Sequence, residues 1–447
     1  MHAFAIAATH SGAGKTTITL ALLSALSRRG LRVQSFKAGP DYIDPLHHAV
    51  LTGRPAHNLD TWMLPEEAVR EIFGQAGSDA DVALLEGVMG LFDGVDGVRE
   101  EGSTSHLAKL LGLPVVLVVD ARSMARSAAA LAEGFVNFDP DLTFAGIIWN
   151  RVGSPTHRRI LDEAAKAAKL PPVLGALGRD EGLYLGERHL GLVTPSEVLF
   201  TGDWAARLAD AAESQIDLDR LLTLTKKPTG APPRPPARRA AAKKTIAVAR
   251  DQAFCFYYEE NFRIMEELGA KLLFFRPTDG DGIPPQAEAL YLGGGYPELH
   301  AEALSKNDAF MGGVRSLHAR GLPIYAECGG FMALCADLHT GEAQKWPMAS
   351  IFPADTIMNK RLARLGYREV TGATGTPIAG LTARGHEFHY SKVEGMPEEV
   401  QRAYSVKNAR GEELLPEGYL VGATLGGYMH LHFASNKAFA AGLFGLG

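Results

Sequence analysis

Two short stretches carry side chains able to do chemistry. The first, Ala8 to Thr17, reads ATHSGAGKTT. It lies between an apolar run and a helix-like one, the setting of a phosphate-binding loop, whose usual form is Gly, four residues, then Gly-Lys-Ser/Thr. Counting back from Gly14, the first glycine position holds Thr9. The working parts remain. Gly12 and Gly14 let the backbone approach phosphates closely, and Lys15 offers a point charge to β and γ phosphates. Thr16 has the hydroxyl normally used on Mg²⁺, and the helix that follows, with Thr17 in its first turn, offers its N-terminal amides to an anion. The second stretch, PIYAECGGFM, sets Cys328 between Glu327 and two glycines, after a short apolar run and before a helix-like one. A nucleophile on a strained strand-to-helix turn needs such small neighbours.

Carboxylates follow the loop. FKAGPDYIDP ends a second strand-like run and places Asp41 and Asp44 where ligand loops open in parallel sheets. LLEGVMGLFDG does the same for Glu86 and Asp93. Oxygen donors beside a triphosphate suit Mg²⁺, which also keeps waters. Asp41 and Glu86 with Thr16 make the expected metal set. Asp44 and Asp93 stand as further substrate or metal residues, and each acid alone would equally serve to cap a turn. Asp120, closing VVLVVD, fits a switch or a structural role; Asn150, closing IIWN, fits base reading or turn capping.

For the thiol, a helix N-terminus is expected to lower its pKa, and the amide of Gly329 is placed to hold an oxyanion. A second oxyanion donor is expected from LYLGGGYPE, at Gly294 or Gly295. The required base is a histidine distant in sequence. GGYMHLHF offers His430 and His432, which share a face if the segment is a strand; His300, His386 and His389 are further candidates. Cys255 and Cys335 lack such surroundings. Three cysteines in 447 residues argue against a disulfide framework and for a reducing compartment.

These groups need elements to hold them. HAFAIAAT, LRVQSF, DVALLEG, LPVVLVVD and TFAGIIWN read as buried strands alternating with helices such as KTTITLALLSALSRRG, which Gly30 ends. TKKPTGAPPRPPARRAAAKK, residues 225–244, reads as a linker because it has little to bury. A second α/β pattern then runs from TIAVARD to the C-terminus. The expected architecture is two doubly wound α/β domains, 1–224 and 245–447, around that linker. The net charge of −6 gives no footprint for nucleic acid. No run approaches the roughly 18 uninterrupted apolar residues of a membrane span, and MHAFAIAATH lacks a signal-peptide leader. A cytoplasmic protein with no membrane partner is expected.

A cysteine elbow with a late histidine resembles the class I glutamine amidotransferases, in which a thiol attacks the glutamine amide and ammonia leaves through a thioester. GGGYPE and GGYMHLHF are similar to the cobyrinate-type branch, whose Gly-x-Tyr-x-His-x-x-Phe matches Gly426, Tyr428, His430 and Phe433. That match selects His430 as base. Most of the class carries Glu two residues after the histidine; here His432 stands there, and the group orienting His430 is unnamed. The first half resembles the dethiobiotin-synthetase-like P-loop enzymes. THSGAGKTT, FKAGPDYIDP, NLDTWML and EGVMGLFDG together are similar to the a,c-diamide synthases of corrinoid biosynthesis, a group that opens its loop with Thr-x-Ser/Thr.

The resemblance implies a two-site ligase. ATP with Mg²⁺ would convert the c and a acetates of hydrogenobyrinate or cobyrinate to acyl phosphates, and ammonia from glutamine would amidate them. The Ala/Arg/Gly-rich composition leans toward metal-free hydrogenobyrinate. Cobyric acid synthase shares both modules, but GPDYIDP and the length favour the diamide synthases. The nickel-sirohydrochlorin diamide synthases stay open as an alternative. A partitioning-type ATPase would place a lysine at His10 and has no thiol domain. Oligomeric state is not legible, with a homodimer left open.

Overall fold

The structure, a computed structural model, describes residues 1–183, 202–226, 243–341 and 344–446. The chain divides into two compact units, Met1–Pro236 and Ala237–Gly447. The division falls within the expected linker, most of which (227–242) lies outside the described residues. None of the described helices is long and apolar enough to cross a membrane.

The first unit is built on seven parallel strands in the order β3-β2-β4-β1-β5-β6-β7. They are β1 His2–Ala8, β2 Val33–Ala38, β3 His57–Leu59, β4 Val82–Glu86, β5 Val115–Asp120, β6 Phe144–Val152 and β7 Val173–Gly178. β2, β4 and β5 are buried at every residue, because helices cover both faces and the apolar runs need not alternate. Helix α1, Lys15–Arg28, packs Ile18, Leu22 and Leu26 into this core, and Gly30 (φ 78°) takes the left-handed turn behind it. Each such side chain contributes about 1.5–3 kcal/mol by leaving water. Helix α2, Ile43–Thr52, follows β2. β3 and β7, too short or too glycine-rich to stand out in the sequence, complete the edges.

The second unit has a parallel core in the order β9-β8-β10-β11: β8 Lys244–Ala249, β9 Ala270–Phe275, β10 Ala289–Leu292 and β11 Ile324–Glu327. Strand Thr424–Gly427 lies parallel to β11 on the other side. From there the sheet continues through antiparallel strands to Thr382–His389 and finally Met429–Leu431, ten strands in all. Only Tyr428 separates the final strand from Gly427, so the sheet has to curl until its far edge returns beside β11. That antiparallel extension was not anticipated from sequence.

Candidate functional site

In the first unit the phosphate loop sits at the carboxyl end of β1, between β4 and β5. Its shape is held from outside: Asn150 on β6 donates from Nδ2 to the Ala13 carbonyl at 2.8 Å. A Cβ on Gly14 (φ 96°) would stand 2.1 Å from that same nitrogen, so glycine is required there on both counts. Asn150 therefore braces the loop, while its Oδ1 accepts from the Arg151 amide at 2.9 Å and its side chain lines the adjoining cavity. The loop opens into a cavity of about 720 Å³ lined by Gly12, Gly14, Lys15, Thr16 and Thr17. Arg122, Arg151 and Arg179 line it too.

The floor of the cavity is a charge cluster. Parallel register pairs Lys37 of β2 with Glu86 of β4, so both side chains rise on one face. Lys37 Nζ lies 2.6 Å from Asp44 Oδ2 and 3.0 Å from Glu86 Oε1. Thr16 Oγ1 donates to Glu86 Oε1 at 2.7 Å and lies 3.4 Å from Asp44 Oδ2. His48 Nε2, from α2, meets Glu86 Oε2 at 2.7 Å. Burial alone would discharge Lys37, but Asp44, Glu86 and Asp41 outweigh it and hold its amine above the ordinary lysine value. Burial likewise opposes charge on Glu86, and Lys37, His48 and Thr16 bring it below the usual carboxylate range. Asp44 is raised by burial and by its like-charged neighbours Asp41 and Glu86. Burial and Lys37 together push the Lys15 amine down to about 8, so an incoming anion would restore its full charge.

Both aspartates line the cavity, with different partners. Asp44 reaches Thr16, whereas Asp41 spends Oδ1 on the amides of Ile43 and Asp44 at the start of α2, with Oδ2 3.9 Å from Lys37 Nζ. Asp41 stands two residues ahead of the helix start at Ile43, where a carboxylate can accept from the first free helix amides. Asp93 does not line the cavity: its Oδ2 accepts from the Gly90 amide at 2.7 Å and closes a turn. Asp120 accepts from the Arg122 amide at 2.9 Å and pairs with Arg151. Lys37 and His48 were missed. A lysine inside the all-buried run VQSFKA was the available signal, since unpaired lysine is almost never buried; nothing marked His48.

The donor set Thr16, Asp44 and Glu86 is all oxygen, the chemistry Mg²⁺ prefers. Among the described residues no group of three or more His, Cys, Asp or Glu forms a metal site by itself. Phosphate oxygens and waters would have to complete any shell here.

In the second unit Cys328 follows β11 with φ 47° and ψ −102°, outside the ordinary regions for a residue with a Cβ. Its amide donates to Gly427 O at 2.6 Å, and its thiol points to Phe388 O at 3.8 Å. A Cβ on Gly329 would lie 2.8 Å from Pro297 and 3.1 Å from the Gly295 amide nitrogen, so the two candidate oxyanion amides, Gly329 and Gly295, come together beside the thiol. A Cβ on Gly294 would lie 2.4 Å from His430 Cε1, which makes Gly294 the seat of the imidazole. His430 is buried in Met429–Leu431, its ring stacked on His386 at 4.9 Å. His432 instead stacks on Tyr258 at 4.5 Å and accepts from the Ala434 amide. His389 pairs with Glu387 at 2.9 Å and stacks on Tyr428. His300 stands at the position before the short helix Ala301–Lys306.

The thiol's charge state differs from expectation. Burial, reinforced by Glu298, raises Cys328 above the ordinary thiol value, and the Gly329 amide offsets only part of this. The helix behind it, Gly329–Leu334, has six residues and is too short to reverse that. Burial together with His386 and His389 holds His430 well below the ordinary imidazole value. Both shifts favour a neutral thiol and a neutral imidazole.

Residues 4–192 match the CobQ/CobB/MinD/ParA nucleotide binding domain, and residues 245–438 match the CobB/CobQ-like glutamine amidotransferase domain. Relatives named cobyrinate a,c-diamide synthase match nearly the whole chain. That of Syntrophotalea carbinolica is 44% identical over 97% of this chain and 96% of its own length. Those of Priestia megaterium (42%; 96% and 94%) and Salmonella typhimurium (41%; 97% and 95%) are similar. The chain belongs to the cobyrinate a,c-diamide synthase family. Family membership accounts for the joining of a nucleotide-binding unit and a glutamine amidotransferase unit in one chain.

Proposed function

We propose that this glutamine-dependent carbon–nitrogen ligase amidates the a and c acetates of a corrinoid, cobyrinate being the macrocycle in the relatives' names, in the cytoplasm. The supporting observation is that a phosphate loop over a lysine–carboxylate cluster and a thiol on a strained elbow occupy the two units of one chain that matches those relatives over nearly its whole length. Residues 1–224 form the amidoligase and 245–447 the glutaminase.

In the glutaminase, His430 takes the Cys328 proton as sulfur attacks the glutamine amide carbon. The oxyanion is held by Gly295 and Gly329, and the proton passes to departing ammonia. Water then cleaves the thioester to glutamate. In the amidoligase, an acetate oxygen attacks the ATP γ-phosphorus and ADP leaves; ammonia attacks the acyl phosphate carbon and phosphate leaves. Lys15 and the loop amides orient the triphosphate, while Lys37 fixes Asp44 and Glu86. Mg²⁺ held by Thr16, Asp44 and Glu86 would neutralise phosphate charge.

The test is product mass after incubation with ATP, Mg²⁺, glutamine and either cobyrinate or hydrogenobyrinate, with Cys328→Ala alongside. Two amide gains are expected, lost in Cys328→Ala with glutamine and kept with ammonium salts. Loss with both nitrogen sources in a folded variant would refute the division of labour.

A further inference from the structure

Glu327 immediately precedes the thiol, and its side chain is 1% exposed. It is surrounded by donors from three strands. Oε1 accepts from the Tyr325 hydroxyl at 2.8 Å and from the Leu431 amide at 3.0 Å, and Oε2 accepts from the Tyr291 hydroxyl at 3.0 Å. Among the described residues no Lys or Arg lies within ion-pair distance of it; the nearest basic atom is His430 Nδ1, 3.9 Å from Oε2. A buried carboxyl supplied with three donors and no cation is expensive to keep unless its charge is used.

Resting on the glutaminase reading above, the geometry points to Glu327 as a positioning residue for His430. Its carboxylate fixes the histidine strand through the Leu431 amide and supplies the negative charge facing the imidazolium that forms when the thiol gives up its proton. Nδ1 faces Glu327, which leaves Nε2 for the sulfur. The proton moves from Sγ to Nε2 and later to ammonia, and Glu327 neither gains nor loses one. The acid that other members of the class carry two residues after the histidine is thus supplied here from beside the nucleophile.

Of the other ionisable neighbours, Glu298 beside the thiol is likewise raised by burial to about 7, so the Glu327→Gln comparison is what assigns the limb. Tyr257, Tyr291, Tyr325 and Tyr404 are all held neutral by burial. Facing His430, His386 is pushed by burial down to about 3, so it is neutral. Glu387 is engaged by His389 at 2.9 Å and by Arg368 at 2.8 Å. Burial raises Glu327 to about 7 against its hydrogen bonds, so it is ionised above that pH and protonated below it.

The experiment measures glutamine hydrolysis by the full chain across pH for wild type, Glu327→Gln, Glu327→Asp and Cys328→Ala. Wild-type kcat/KM is expected to rise through an acidic limb near pH 7. Glu327→Gln should lower kcat by about 100-fold with little change in KM, and abolish the limb. Glu327→Asp should keep the limb and recover part of the rate. A Glu327→Gln rate within about threefold of wild type with the limb unmoved overturns the inference. In case Glu327→Gln does not fold, Tyr291→Phe/Tyr325→Phe removes two donors to the carboxylate and should move the limb to higher pH; an unmoved limb also overturns it. Cys328→Ala separates the two levels: hydrolysis surviving in that variant sinks the glutaminase reading itself, whereas an inert Cys328→Ala beside an unaffected Glu327→Gln sinks only the role of Glu327.

Discussion

Lys37 and Glu86 are register partners on adjacent parallel strands, both buried, with Nζ 3.0 Å from Oε1. The ammonium bridges Asp44 and Glu86 and so lets two carboxylates lie together beneath the nucleotide cavity. A buried pair broken on one side leaves an uncompensated charge, and that costs more than the intact pair contributes.

Lys37→Met is therefore expected to destabilise the first unit by about 3–5 kcal/mol, read from urea unfolding. Amidation from ammonium salts should fall with it, while glutamine hydrolysis by the same preparation stays near wild type. Unchanged unfolding would show that water or a shifted proton compensates Glu86.

Gly294→Ala tests the seat of the imidazole. The added methyl would sit 2.4 Å from His430 Cε1, far inside carbon contact distance, so the ring or the glycine loop has to move. A displacement near 1 Å in a reacting group can cost on the order of 100-fold. Glutamine hydrolysis should drop by about that factor, with amidation from ammonium salts unaffected. Full hydrolytic activity would place the base elsewhere.

The neutral thiol predicts a pH dependence. Because burial raises Cys328 above the ordinary thiol value, its thiolate fraction at neutral pH is below that of a free cysteine. Alkylation by iodoacetamide, followed at the Cys328 peptide, should be slow near pH 7 and still climbing above the pH where a free thiol levels off. A plateau below about pH 8.5 would mean a preformed thiolate–imidazolium pair.

How far the sequence could be read depended on the range of each interaction. The phosphate loop, the cysteine elbow and five of the parallel strands are local patterns in which neighbouring residues fix one another's conformation. Lys37, His48 and Glu327 gain their roles only through register and sheet closure. Lys37 meets Glu86 across 49 positions, and Glu327 meets the Leu431 amide across 104. Asp41 and Asp44 show the same limit at short range. Asp41 precedes α2 and Asp44 lies in its first turn, and the placement of that helix decides which holds the helix amides and which reaches Thr16. The thiol pKa was misjudged because helix polarity is visible in a sequence and depth of burial is not.

The Asn150–Ala13 bond has a consequence for how nucleotide arrives. A loop tied down by a neighbouring strand has already lost its conformational freedom when the chain folds, so capture of the ligand does not have to supply that ordering. Cutting the tie with Asn150→Ala would leave every phosphate-facing group in the chain, yet the loop would have to be reassembled at each encounter.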